Sequence, residues 1–265
     1  EFLEPMKGPE AANNIFDGID TTWRRVDGGE KVEALVNQAV AQFDPQDPAA
    51  TVPLLLSIRA EIRKLGDSVW KDRKLQETEQ LIADCLGLFV EITADHFQCA
   101  PGETLTASAE VVNRSSAALS LRGMRAEALG WDSTFTTPLQ SNKPAVMSIS
   151  HPVSADASFS GPYWLKLPHG SGLYTVKDEA MIGRPESPPA IIFSFEIRVG
   201  DEMLTLKRPL IYKWVDPVKG ELWRPFEIVP PVTVNLSEDV MVFGTQAPKS
   251  LTMLVKSSSD QKQSG

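Results

Sequence analysis

The sequence predicts a segregated α+β fold that is mainly β: an N-terminal arm and a three-helix segment, followed by an antiparallel β-sandwich. Three observations carry this. Apolar residues recur at helical spacing between residues 30 and 86. At residue 87 the hydrophobic period changes from 3.6 to 2, and short alternating runs follow, separated by turn residues roughly every 10 positions. The 265 residues are 42% hydrophobic and 23% charged, which is ordinary globular usage and excludes global disorder and a collagen-like repeat. The length is enough for about two domains.

The elements follow in order. Residues 1–27 contain Pro, Gly and Asn without a sustained period and read as an extended arm. Val32, Leu35, Val36, Ala39, Val40 and Phe43 form one stripe, predicting a helix over 30–43. Asp44-Pro45 and Asp47-Pro48 end it, because the residue before a proline is driven out of the α region. A second helix is predicted over 51–65, with Thr51 as cap, Pro53 in the first turn and Gly66 as stop. Its stripe is Leu55, Ile58, Ile62 and Leu65. Asp67 or Ser68 caps a third helix over 69–86, with Leu75, Thr78, Ile82 and Cys85 on one face and the charged run from Lys71 to Glu79 on the other. Short connections make segment 28–86 a small helical bundle or hairpin.

From residue 87 the strands begin. Leu88, Val90, Ile92 and Ala94 alternate with Phe89, Glu91, Thr93 and Asp95, Pro101-Gly102 signals a type II turn, and Leu105, Ala107, Ala109 and Val111 alternate in turn. Further strands are expected over 118–128 and 144–151. Prolines and glycines over 152–188 read as a structured excursion. Ile191, Phe193, Phe195, Ile197 and Val199 share a face, Gly200-Asp201 turns the chain, and 203–215 returns as the hairpin partner. Asp216 to Gly220 is another turn. Pro230-Pro231 closes a unit spanning 87–231. Short strands expected over 232–236, 239–244 and 250–256 either join the first sheet or open a truncated second β domain, 232–265.

Composition limits the chemistry. A net charge of −9 gives no support for a nucleic-acid-binding face. No apolar run reaches the ~18 residues of a transmembrane helix. The three histidines, His96, His151 and His169, form no HxH, HxxxH or HExxH spacing, so no single element offers two imidazoles to one metal. Cys85 and Cys99 fit no CxxC site and read as two small buried hydrophobes. There is no G-x-S-x-G elbow, and Gly170-Ser171-Gly172 lacks the context of a phosphate loop. Asn113-Arg114-Ser115 and Asn235-Leu236-Ser237 match the glycosylation sequon. The aromatics offer a binding candidate: Tyr163, Trp164 and Trp223, with Trp131 and Trp214, are able to stack on sugar faces, although the same residues also serve to pack a sandwich. The chain ends, without initiator Met, basic start or apolar signal core, read as those of a fragment of a longer protein.

Several motifs carry a resemblance that covers nearly the whole chain. They are Phe16-Asp17-Gly18-Ile19-Asp20-Thr21-Thr22-Trp23-Arg24-Arg25-Val26, Phe43-Asp44-Pro45 leading to Leu54-Leu55-Leu56, Gly161-Pro162-Tyr163-Trp164-Leu165, and Gly183-Arg184-Pro185-Glu186-Ser187-Pro188-Pro189. The most distinctive are Tyr212-Lys213-Trp214-Val215-Asp216-Pro217-Val218-Lys219-Gly220-Glu221 and Arg224-Pro225-Phe226-Glu227-Ile228-Val229-Pro230-Pro231-Val232. Together these resemble the region that follows the catalytic domain in large bacterial PIG-L (LmbE-like) deacetylases. The resemblance implies that the sandwich is immunoglobulin-like and that further β domains begin near Val232. It implies a secreted or periplasmic parent whose absent N-terminal domain holds zinc on a His-Pro-Asp-Asp loop and hydrolyses N-acetyl groups of amino sugars or related amides. This chain would hold no catalytic residue, metal ligand or cofactor of its own. Its partner would be that missing domain, with a glycan bound at Tyr163, Trp164 or Trp223, or a purely structural adhesion-like sandwich, as the alternatives.

Overall fold

The computed structural model describes residues 16–245 and 247–258. The first fifteen residues of the expected arm and the terminal serine-rich stretch beyond Ser258 lie outside the described residues. Within 16–27 the chain forms turns and one 3-10 turn, Trp23–Arg25, which leads into helix α1 (Glu30–Gln42). Val32 and Ala39 of α1 are buried, but Val40 and Phe43 are exposed. The predicted stripe is thus too wide: α1 packs mainly on α2 and the Trp23 turn, and Val40 and Phe43 lie off the packed face. Helix α2 (Val52–Lys64) buries Leu55, Ile58 and Ile62 as expected. Thr51 makes no capping bond; it belongs to a 3-10 turn, Pro48–Thr51, that feeds the helix. Nor does Gly66 stop α2 in a left-handed conformation, because Leu65 has already turned extended. Helix α3 (Val69–Cys85) starts at Ser68, whose hydroxyl accepts from the Lys71 amide at 3.1 Å.

The change of period at residue 87 has a structural cause. Gly87 sits at φ +57°. The Gly87 amide donates to the Asp84 carbonyl at 2.9 Å and the Leu88 amide to the Ala83 carbonyl at 2.9 Å. These paired bonds form a Schellman motif, which satisfies the last helical carbonyls and releases the chain into a strand.

The strands then run β1 (Phe89–Ala94), β2 (Gln98–Cys99), β3 (Thr104–Val112), β4 (Leu119–Ala126), β5 (Trp131–Leu139), β6 (Pro144–Pro152), β7 (Ile192–Val199), β8 (Glu202–Pro209), β9 (Ile211–Asp216), β10 (Gly220–Pro225), β11 (Glu227–Ile228), β12 (Val232–Leu236) and β13 (Met253–Ser257). One sheet has the order β10-β9-β1-β3-β6 and a second the order β5-β4-β7-β8. Their apolar faces belong to one buried cluster, which includes Ile92, Val111, Leu121, Phe193, Phe195 and Ile197 and continues into Ile62 and Ile82 of the helices. The protein is therefore mainly β with segregated helices.

The β region also departs from expectation. Strand β5 lay outside the expected strands, because its half-buried positions are Trp131, Ser133, Phe135 and Thr137, a weakly apolar set on an edge strand that also tolerates Pro138. The expected return strand over 203–215 is two strands. The pairing with the β7 side runs one residue past Pro209, where the Leu210 amide donates to the Ile191 carbonyl at 3.0 Å; Leu210 is buried, and β9 then leaves for the other sheet, parallel to β1 through the pair Thr93↔Ile211. Strand β2 pairs in parallel with β11, a two-residue match with no periodic signal. Residues 239–244 form no strand, and β12 and β13 pair only with each other, joining neither larger sheet.

The segment between β6 and β7 is irregular, with 3-10 turns at Tyr163–Leu165 and Glu179–Met181. Local bonds hold it down. Ser160 donates its amide to the Ile228 carbonyl at 2.7 Å and its Oγ accepts from the Ile228 amide at 2.9 Å. The Tyr163 hydroxyl donates to the Arg184 carbonyl at 3.0 Å, and Ser187 Oγ donates to the Gly161 carbonyl at 2.7 Å.

Candidate functional site

Nucleophilic and metal chemistry find little footing. Burial, followed by the charge of Glu103, pushes the Cys99 thiol up to about 11. At neutral pH it is a protonated donor, with Sγ 3.3 Å from the Ala100 carbonyl oxygen, and not a thiolate. Cys85 is half-buried, and burial raises its thiol as well. His96 and His169 are exposed, while His151 lies half-buried at the end of β6 with Nδ1 2.9 Å from the Pro152 carbonyl. Among the described residues no group of three or more His, Cys, Asp or Glu side chains is arranged to hold a metal. A cavity of about 420 Å³ opens beside β2 and β3 between Phe97, Glu103 and Phe226. One Glu103 carboxylate oxygen there accepts from the Ala100 amide at 2.8 Å and faces Cys99, so the group is engaged in holding the loop.

The first sequon is closed to modification. Asn113 is buried, its amide donates to the Ala117 and Leu139 carbonyls, and its oxygen accepts from Ser115. Asn235 is exposed on β12.

The aromatic candidates are scattered. Tyr163 and Trp164 meet edge to face at 4.9 Å, and Tyr163 is tied to Arg184. Trp131 packs edge-on against the buried ring of Phe193 at 5.8 Å. Trp214 stacks on Tyr212 at 5.8 Å, Tyr212 meets Phe97, and Arg224 lies 4.4 Å over Phe97, which makes a continuous row on one face of the β9–β10 hairpin. Trp70 lies under the Arg25 guanidinium at 4.9 Å.

Trp223 differs from all of these. It is 63% exposed, the most exposed of the six tryptophans, and among the described residues no ring or cation stacks on it. It faces a groove of about 220 Å³ lined also by Glu91, Ile92, Arg208 and Ile211. The groove exists because β1 and β9 share one ladder pair and part on either side of it. In the β9–β10 register Trp223 lies opposite Lys213, hence on the same face. Lys213 Nζ bridges Glu91 at 3.1 Å and Glu221 at 2.7 Å. The Glu221 carboxylate, and after it Glu91, hold the Lys213 ammonium above its usual range. Sequence reasoning named Trp223 and missed these neighbours. The Asp216–Gly220 turn was the signal for Lys213, since it fixes the hairpin register; the approach of Glu91 and Arg208 depends on the parallel β1–β9 contact, which no local pattern announces.

The scaffold behind these features is a mainly β protein with three helices. Beyond that class, no known protein family and no curated protein sequence matches the chain. Among solved structures, the Pseudomonas fluorescens alkylpurine DNA glycosylase AlkC bound to DNA containing an abasic site analogue matches 66% of this chain and 50% of that one, at 10% identity and a TM-score of 0.23. The chain thus spans about half of that glycosylase, at a likeness too low to carry an argument about fold or activity.

Proposed function

We propose that this chain is the non-catalytic accessory region of a secreted PIG-L-type deacetylase, comprising a helical segment over 28–86, an immunoglobulin-like sandwich over 87–231 and the first strands of a further β domain from 232. The observation that carries the reading is where the resembling motifs come together. Gly161–Leu165 is bonded to Gly183–Pro189 through Tyr163 and Ser187. Its neighbour Ser160 exchanges two bonds with Ile228 inside the Arg224–Val232 motif. The Tyr212–Glu221 motif supplies β9 and opens β10, the strand that leads into that segment. Residues far apart in sequence are thus joined in one bonded network, as expected of motifs that maintain a shared scaffold.

The immunoglobulin-like reading draws support from strand order. The strands β1-β3-β6 in one sheet and β5-β4-β7-β8 in the other follow the alternating sheet assignment of such sandwiches, with β9 and β10 added beside the first strand. In this reading the helices brace the sandwich against the catalytic domain, and the zinc and water activation belong to that domain.

The test is twofold. The coding sequence upstream is expected to contain an in-frame His-Pro-Asp-Asp loop, and a complete reading frame without one overturns the proposal. The purified chain, supplied with zinc, is expected to leave an N-acetylglucosamine conjugate intact; measurable acetate release also overturns it.

A further inference from the structure

We infer that the groove between β1 and the β9–β10 hairpin is a binding site for one ring of a neutral glycan, with Trp223 as its stacking platform. The inference stands apart from the deacetylase reading and rests on the groove alone. An indole left 63% exposed, with no ring or cation on it among the described residues, is a large apolar face kept in water. That face borders a recess of about 220 Å³. This is below the ~300–1,000 Å³ of pockets for drug-sized ligands and suits a single ring.

The polar groups around it narrow the chemistry. Glu91 and Arg208 line the recess, Lys213 and Glu221 stand behind Glu91 through the Lys213 bridges, and the four formal charges cancel. A charged ligand therefore gains no net attraction, whereas a ligand with several hydroxyl groups finds carboxylate acceptors beside ammonium and guanidinium donors. Lys213 holds the two carboxylates and Arg208 is fixed by the Val90 and Lys207 carbonyls, so a ligand need not order them. A peptide adding as a strand to the open side of β1 is disfavoured, because Arg208 Nε already donates to the Val90 carbonyl at 3.1 Å on that strand. The charged side chains of Glu91 and Lys213 further blunt this edge against pairing. The other two stacking candidates, Tyr163 and Trp164, take no part, since each is engaged with the other.

The experiment is isothermal titration of the full chain with cellotetraose, chitotetraose and mannotetraose, compared with W223A, W223F and W164A. At least one of the three sugars is expected to bind the unaltered chain. W223A is expected to weaken that binding by roughly tenfold or more, W223F to recover part of it, and W164A to leave it unchanged. Trp223 is exposed, so circular dichroism and melting of W223A should match the parent chain, separating lost binding from lost folding. No binding to any of the three sugars, binding that survives W223A, or binding lost equally in W164A overturns the assignment. So does an extended peptide that displaces the bound sugar and binds W223A as well as the parent.

Discussion

At the scale of single residues, Arg59 is the most consequential group that periodicity did not mark. It is 2% exposed, yet charged, and falls beside Ile58 where α2 turns inward. Its guanidinium reaches Glu79 of α3 at 2.8 Å, Glu202 at 3.3 Å and the Met203 carbonyl at 2.8 Å, so one side chain joins two helices to the start of β8. A fully buried pair broken on one side costs ~3–5 kcal/mol. Here the Glu79 and Glu202 side chains are 22% and 48% exposed, so water recovers part of that cost. Arg59→Met is expected to lower stability by about 2–3 kcal/mol in urea unfolding, and Arg59→Lys, lacking the planar fork, to recover only part of it. Cys99 gives a pH prediction. Its folded pKa of about 11 lies above the ordinary 9.0, so the folded state holds the proton more tightly than the unfolded chain. That contribution is fully present below pH 9 and is lost as pH rises through 11. Urea midpoints measured across this window should fall more steeply for the parent chain than for Cys99→Ala.

At the scale of elements, local sequence was a good guide where one neighbour decided the conformation. The helices, the Pro101-Gly102 turn with Gly102 at φ +85°, and the buried faces of β1, β3 and β7 all follow from local periodicity and turn chemistry. It failed where a distant partner decides: β5 is held by β4 despite its polar composition, and β2 and β11 are strands only because they meet. The β12–β13 hairpin shows the opposite case, since both strands have apolar residues but no third layer among the described residues. Val234, Leu236, Met253, Leu254 and Val255 remain exposed. An isolated two-stranded hairpin is marginal in water. Amides of β12 and β13 are expected to exchange with deuterium within the earliest labelling times while β7 stays protected. Matching protection in the two regions would show that the hairpin is held by contacts other than its own ladder.

At the scale of the whole molecule, the class of fold was legible in the switch of period at residue 87, and the candidate site only in part. Trp223 was visible only as an aromatic able to stack on a sugar; its strand β10 and the groove it faces are products of topology, where β9 lies beside the first strand of the other sheet. That placement also bears on how the chain is made. β1 receives β9 as its outer neighbour, and β2 receives β11, from more than a hundred residues further along the chain. A chain emerging from the ribosome can form the helices and the β1–β3 pairing early, but both edge positions stay empty until residues through Ile228 have been synthesised. Pairings between such distant segments close slowly. Until residues 211–225 have been translated β1 is therefore the free edge of its sheet, and their arrival passes that edge outward to β10.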